Sequence, residues 1–136
     1  MNFIKIRDYL DLPKVEIVEA DFCFYDIVNE IVAMNIDDAR NYAEEFVEFA
    51  AQINPIAREI NIVLLSLLHE FGHHETYYLL TEEEEVEEKF MRMLYQGIGE
   101  NVAGYFNLPS ERMATEWALK FAEKNIDKIK ELDIYE

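Results

Sequence analysis

Residues 60–74 read INIVLLSLLHEFGHH, and the reading of this stretch organises the rest of the chain. Ile60 to Leu68 is its most apolar part, too short to span a bilayer and running straight into His69 and Glu70. Asn54 followed by Pro55 is an N-cap and first-turn pair, so a long helix is expected from about Pro55 to Leu80, enclosing the apolar run. Upstream, Ala39, Tyr42, Ala43, Phe46, Val47 and Ala50 form one apolar stripe, which predicts a helix opening at Asp37 and Asp38. Downstream, Thr81 with Glu84 makes a capping box for a helix from Glu82 to Gln96, interrupted by Gly97 and Gly99. A short segment runs through Tyr105. Pro109 opens another helix to about Lys124, and residues 126–132 form a tail helix.

The N-terminal part reads differently. Phe3, Ile6 and Leu10 have helical spacing, closed by Pro13. Between Val15 and Met34 the apolar residues are branched or aromatic, the composition of half-buried strands. Two or three short strands are expected there, as an antiparallel sheet flanking a helical core. The expected fold is α+β and mostly helical: one domain over residues 1–136, with a minor sheet from residues 15 to 34.

The chain has 136 residues, 51% apolar and 13% aromatic, too rich in core material for disorder. A domain this long buries roughly two-thirds of its unfolded surface and needs no disulfide framework. Its 29 acidic and 12 basic residues leave a formal charge of −17. That balance argues against nucleic-acid partners and anionic membranes, and favours cations. Cys23, the single cysteine, has no internal disulfide partner, and residues 1–15 show no signal-peptide core, so a cytoplasmic setting is expected.

All three histidines fall within HEFGHH, residues 69–74. On a helix His69 and His73 share a face, so each can offer one ring nitrogen to a single cation, with Zn2+ expected. Glu70 lies alongside without having to ligate and is the expected base toward water activated there. Gly72 allows another segment close to the backbone, whereas His74 points elsewhere and reads as a solvated or supporting residue.

A catalytic zinc takes three protein ligands, so the third is a carboxylate or Cys23. Glu75, Glu82 to Glu88, Glu100, Glu111 and Glu116 are the downstream acids. Glu75 points away from His73, and the run Glu82–Glu88 reads as a solvated face. In the helix after Pro109 the apolar face is Ala114, Trp117, Ala118, Phe121 and Ala122. At ~100° per residue Glu111 lies about 20° from Ala118, at the inward edge of that face, whereas Glu116 is on the solvent side. A carboxylate on an apolar face is costly unless paired or bound to metal, which selects Glu111. Ala114 and Ala118 are small enough for close packing on the motif helix. His74, Tyr77, Tyr78 and Tyr105 are candidates to polarise a substrate carbonyl, Tyr78 and Tyr105 reading equally as core aromatics. Trp117 reads as core packing and Cys23 as a small buried hydrophobe.

HEFGHH followed by LPSERMATEWALKFA resembles the small ImmA/IrrE-like metallopeptidases of phages and mobile elements, over about Ile60 to Phe121. Glu111, Ala114, Trp117 and Ala118 match that family's second helix, together with Leu108-Pro109. The resemblance implies a gluzincin-like, minimal zincin fold with the small sheet beside the HExxH helix, Glu111 as the ligand completing the site, and a regulatory protein such as a transcriptional repressor as substrate. Met113 and Thr115 depart from the pattern, standing where the family has a second acid and an Asp or Asn. The residue at the Thr115 position is expected to orient a metal-bound histidine. The expected function is therefore zinc-dependent peptide hydrolysis by His69, His73, Glu111 and Glu70. The alternative is a metal-binding regulatory or interaction protein with little hydrolysis.

Overall fold

The computed structural model describes residues 1–97 and 102–132. In chain order the elements are α1 (Phe3–Tyr9), β1 (Glu16–Glu19), β2 (Phe24–Asp26), β3 (Ile31–Met34), α2 (Ile36–Arg40), α3 (Ala43–Ile53), α4 (Ile62–Thr76), α5 (Glu82–Gly97), α6 (Val102–Phe106), α7 (Pro109–Lys124) and α8 (Ile126–Leu132). The fold is α+β and mostly helical, as expected, and one apolar cluster runs from Phe3 to Ile129. No helix among the described residues is long and apolar enough to cross a membrane.

Helix α4 is the centre of the fold. Val63, Leu64, Leu65, Leu67, Leu68 and Phe71 are all buried, and over residues 63–72 the helix has no solvent face. It lies against α7, the sheet strands β2 and β3, and α2. The long helix expected from Pro55 to Leu80 is instead three pieces. The Asn54 side chain does cap, accepting from Ile56 N, but the element it opens is a 3-10 turn, Pro55–Glu59. The chain is extended at Ile60, and a second cap, Asn61, accepts from Val63 N and Leu64 N to start α4. Another 3-10 turn, Tyr77–Leu79, ends it. The second asparagine is the sequence signal for this division.

The sheet also departs from expectation. Its order is β1-β3-β2, with β3 antiparallel to β2 but parallel to β1, rather than antiparallel throughout. Val32, Ala33 and Met34 of β3 are fully buried, so this strand needs a neighbour on each side. The acid-flanked strands β1 and β2 take the edges, where charge is tolerated. Asp26 Oδ1 accepts from Val28 N and Asn29 N to form the turn toward β3.

The single helix expected from Asp37 through Ala50 breaks at Asn41–Tyr42, with Tyr42 left-handed at φ 57°. The break lets α2 rest on α4 while α3 carries Phe46 and Ala50 toward α6, α7 and the 3-10 turn. The Thr81–Glu84 capping box forms reciprocally: Thr81 Oγ1 accepts from Glu84 N at 3.1 Å, and Glu84 Oε1 accepts from Thr81 N at 3.2 Å. The interruption expected at Gly99 lies outside the described residues.

Candidate metal centre

Two helices make the site. Helix α4 presents His69, Glu70 and His73, and α7 presents Glu111 and Thr115. They meet where Gly72 faces Ala114: a Cβ on Gly72 would lie 2.3 Å from the Ala114 carbonyl oxygen. Only a residue without a side chain lets the backbones come this close. Ala118 and Ala122 continue the contact, both fully buried.

On α7 the buried residues are Glu111, Ala114, Thr115, Ala118, Leu119 and Ala122. Glu111 thus lies in the middle of the inward face, not at its edge, because the face is rotated toward Thr115 and Leu119. Trp117 is partly buried and stacked on Phe121 with ring centroids 5.2 Å apart. Glu116 is at the surface in an ion pair with Arg112 at 2.9 Å.

The donor atoms of His69, His73 and Glu111 all lie within 4.8 Å of one another. Nε2 of each histidine is 3.2 Å from Glu111 Oε1. Tetrahedral zinc with bonds near 2.0–2.1 Å would need donors about 3.3 Å apart, a spacing that the two histidine–glutamate pairs match. His69 Nδ1 lies 3.0 Å from Thr115 Oγ1. With that hydroxyl accepting, Nδ1 carries a proton, and loss of the other proton, which Nε2 shares with Glu111, would leave Nε2 free for a cation. Phe46 meets the His69 ring edge-on, with centroids 5.4 Å apart, and steadies it from the other side.

Electrostatics agree with the geometry. Burial works to raise the Glu111 pKa, but hydrogen bonds with His69 and His73 outweigh it and hold the carboxyl well below its ordinary range. Burial works to lower the His73 pKa, and Glu111 reverses this so that it is raised. Glu70 is buried, and desolvation raises its pKa; His69 and His73 pull against that shift while Glu111 and Asp38 add to it. The site therefore holds one carboxylate kept charged and another biased toward the proton.

Helix α5 completes the setting, and nothing in its glutamate run suggests this role. Leu108, at the N-cap position of α7, offers no side-chain cap. Glu88 supplies one from α5, its carboxylate accepting from Ser110 N and Ser110 Oγ, both at 2.7 Å. Glu88 is thus not part of a solvated face, although Glu82, Glu83, Glu85 and Glu87 are exposed. Arg92, one turn on, pairs with Glu88 at 3.2 Å and with Glu111 at 3.4 Å, and lies over the Tyr105 ring at 5.4 Å. The i, i+4 spacing of Glu88 and Arg92 is the one sequence signal of this arrangement.

Most of the other candidates do not join the donors. His74 Nδ1 pairs with the Tyr25 hydroxyl from β2 at 2.7 Å, a supporting tie between sheet and helix. Tyr77 is beside Tyr25 and Tyr78 is exposed, so neither is a core aromatic, whereas Tyr105, also partly exposed, hydrogen-bonds Arg92 at the edge of the site, its hydroxyl pushed up by burial with Glu111 adding to the shift. Cys23 is half-buried, its thiol donating to Asn35 O at 3.3 Å and pushed up to about 11 by burial, and it is no ligand. Glu100 lies outside the described residues. No protein-family model, curated protein or solved structure matches this chain, so the candidate site rests on its own geometry.

Proposed function

We propose that this chain is a zinc-dependent peptidase of the ImmA/IrrE-like kind, cutting a regulatory protein such as a repressor in the cytoplasm. The observation that carries the reading is the convergence of His69, His73 and Glu111 on one point, with the buried Glu70 on the same helix. Three donors is the number a hydrolytic zinc site uses, leaving a position for water or substrate. Zinc held there supplies a Lewis acid that lowers the pKa of water toward ~7 and polarises the scissile carbonyl. Glu70 takes the proton from the attacking water and passes it to the departing amine nitrogen as the C–N bond breaks. Burial raises its pKa above that of an ordinary carboxylate, which makes it the more basic group for that exchange. Thr115 keeps the His69 ring in the ligating tautomer, and Arg92 and Glu88 hold the first turn of α7, and so Glu111, in place.

A second reading has an observation of its own. His69, Glu70 and Glu111 are each less than a tenth exposed, so a peptide reaches them only if neighbouring elements give way. That closure favours a metal-binding regulatory protein that hydrolyses little. Metal analysis paired with cleavage of an unfolded protein substrate separates the two. Zinc with Glu70-dependent cleavage supports the peptidase, zinc without cleavage supports the alternative, and no zinc ends both.

A further inference from the structure

Helix α5 turns the wrong way for an amphipathic surface helix. Its polar residues Glu88 and Arg92 face the domain, held by Ser110 and Glu111. Its apolar residues face outward: Val86 is 69% exposed, Phe90 61% and Met93 71%, with Leu94 beside them. Spaced i, i+4, i+7 and i+8, these four form one stripe, about 12 Å long at 1.5 Å per residue. A surface helix normally buries such a stripe, and a contiguous exposed one marks an interaction face.

The surroundings say what fits it. Glu83 and Glu87 flank the stripe on one side and Glu82 lies at its N-terminal end, all exposed, with Lys89 as the cation on that surface. The whole chain carries a formal charge of −17. A second copy would bring two strongly acidic chains and two glutamate rims together, and an anionic membrane would meet the same rim. A helix with an apolar stripe and lysine or arginine along its margins matches both the hydrophobic and the electrostatic pattern.

We propose that the outward face of α5, formed by Val86, Phe90, Met93 and Leu94 within its glutamate rim, is the docking surface for a basic amphipathic helix of a partner protein. The proposal stands apart from the metal centre, because the stripe is exposed while Glu88 and Arg92 form the side of α5 that meets Ser110 and Glu111.

The test uses a labelled 18-residue helix of leucine and lysine, with leucines in one stripe and lysines at its margins, titrated against the full chain by fluorescence anisotropy. Micromolar binding that weakens with added salt is expected. The double variant Phe90→Asp/Met93→Asp should reduce affinity at least tenfold, and Glu83→Lys/Glu87→Lys at least several-fold, with helical content unchanged because all four positions are exposed. A scrambled peptide of the same composition, lacking the stripe, should bind at least tenfold more weakly. The proposal is overturned if the striped peptide does not bind, if the scrambled peptide binds equally, or if the Phe90→Asp/Met93→Asp variant binds like the parent. It is also overturned if sedimentation shows a dimer that this variant disperses, since the occupant is then a second copy.

Discussion

Gly72 and Ala114 are in backbone contact, and the position of Glu111 depends on it. Ala114 lies one turn beyond Glu111 on α7, and a Cβ on Gly72 would sit 2.3 Å from its carbonyl oxygen and 2.9 Å from its Cα. The obstacle is backbone, so it yields only if the helices separate. Gly72→Ala gains about 1 kcal/mol of helix propensity. Overpacking costs about 1–3 kcal/mol, and a backbone clash falls at the upper end. The clash therefore wins. The variant should melt at lower temperature and bind zinc more weakly, as calorimetry and chelator competition will show; an unchanged melting temperature would mean that α4 and α7 do not touch at this point.

Glu111 and Glu116 distinguish a ligand from a surface acid on the same helix. Glu111→Gln should lower zinc affinity by more than tenfold in a chelator titration. Glu116→Gln loses only an exposed ion pair with Arg112 and should change stability by less than about 0.5 kcal/mol and affinity not at all. The reverse ranking would mean that the register of α7 at the site is wrong.

Thr115→Val keeps the shape of a fully buried residue while removing the partner of His69 Nδ1. Zinc affinity should fall about 10-fold, between the two glutamate variants, because only the orientation of one ligand is lost. An effect as large as that of Glu111→Gln would make Thr115 more than a positioning residue.

Glu70→Gln separates holding the metal from using it. The variant should retain zinc but lose nearly all cleavage of any substrate that the parent cuts, since a general base contributes about 10²–10⁴-fold in rate. Equal cleavage rates would remove Glu70 from the proposed mechanism.

Zinc binding should release protons and weaken as pH falls. Burial works to lower the pKa of His73, but Glu111 outweighs it and raises it above its ordinary value, with Glu70 acting in the same sense as Glu111 and Arg92 against it. Ligation needs a neutral imidazole, so zinc competes with the proton below that raised pKa. For the metal-free protein the sign reverses. A raised histidine pKa contributes stability fully present below the unfolded value of ~6.5 and lost as pH rises through the folded value. Melting temperature in chelator should therefore decline on that rise, while calorimetry in two buffers of different ionisation enthalpy counts the protons released.

What the sequence determined by itself was whatever depends on spacing along one helix. HEFGHH puts His69 and His73 on one face of α4, the Thr81–Glu84 box starts α5, Pro109 starts α7, and the register of α7 selects Glu111 over Glu116. These are local relations, fixed by 3.6 residues per turn and by caps a few residues long. Tertiary structure decided the rest. The order β1-β3-β2 comes from covering β3 on both edges, and the break at Tyr42 from the directions in which α2 and α3 must pack. Glu88 capping α7 and Arg92 reaching Glu111 are contacts between helices about twenty residues apart in the chain. The same fold turns the apolar side of α5 outward, although its composition gave no direction. Periodicity along a chain says which residues share a face, but which neighbour that face meets is set by how all the elements fill one core.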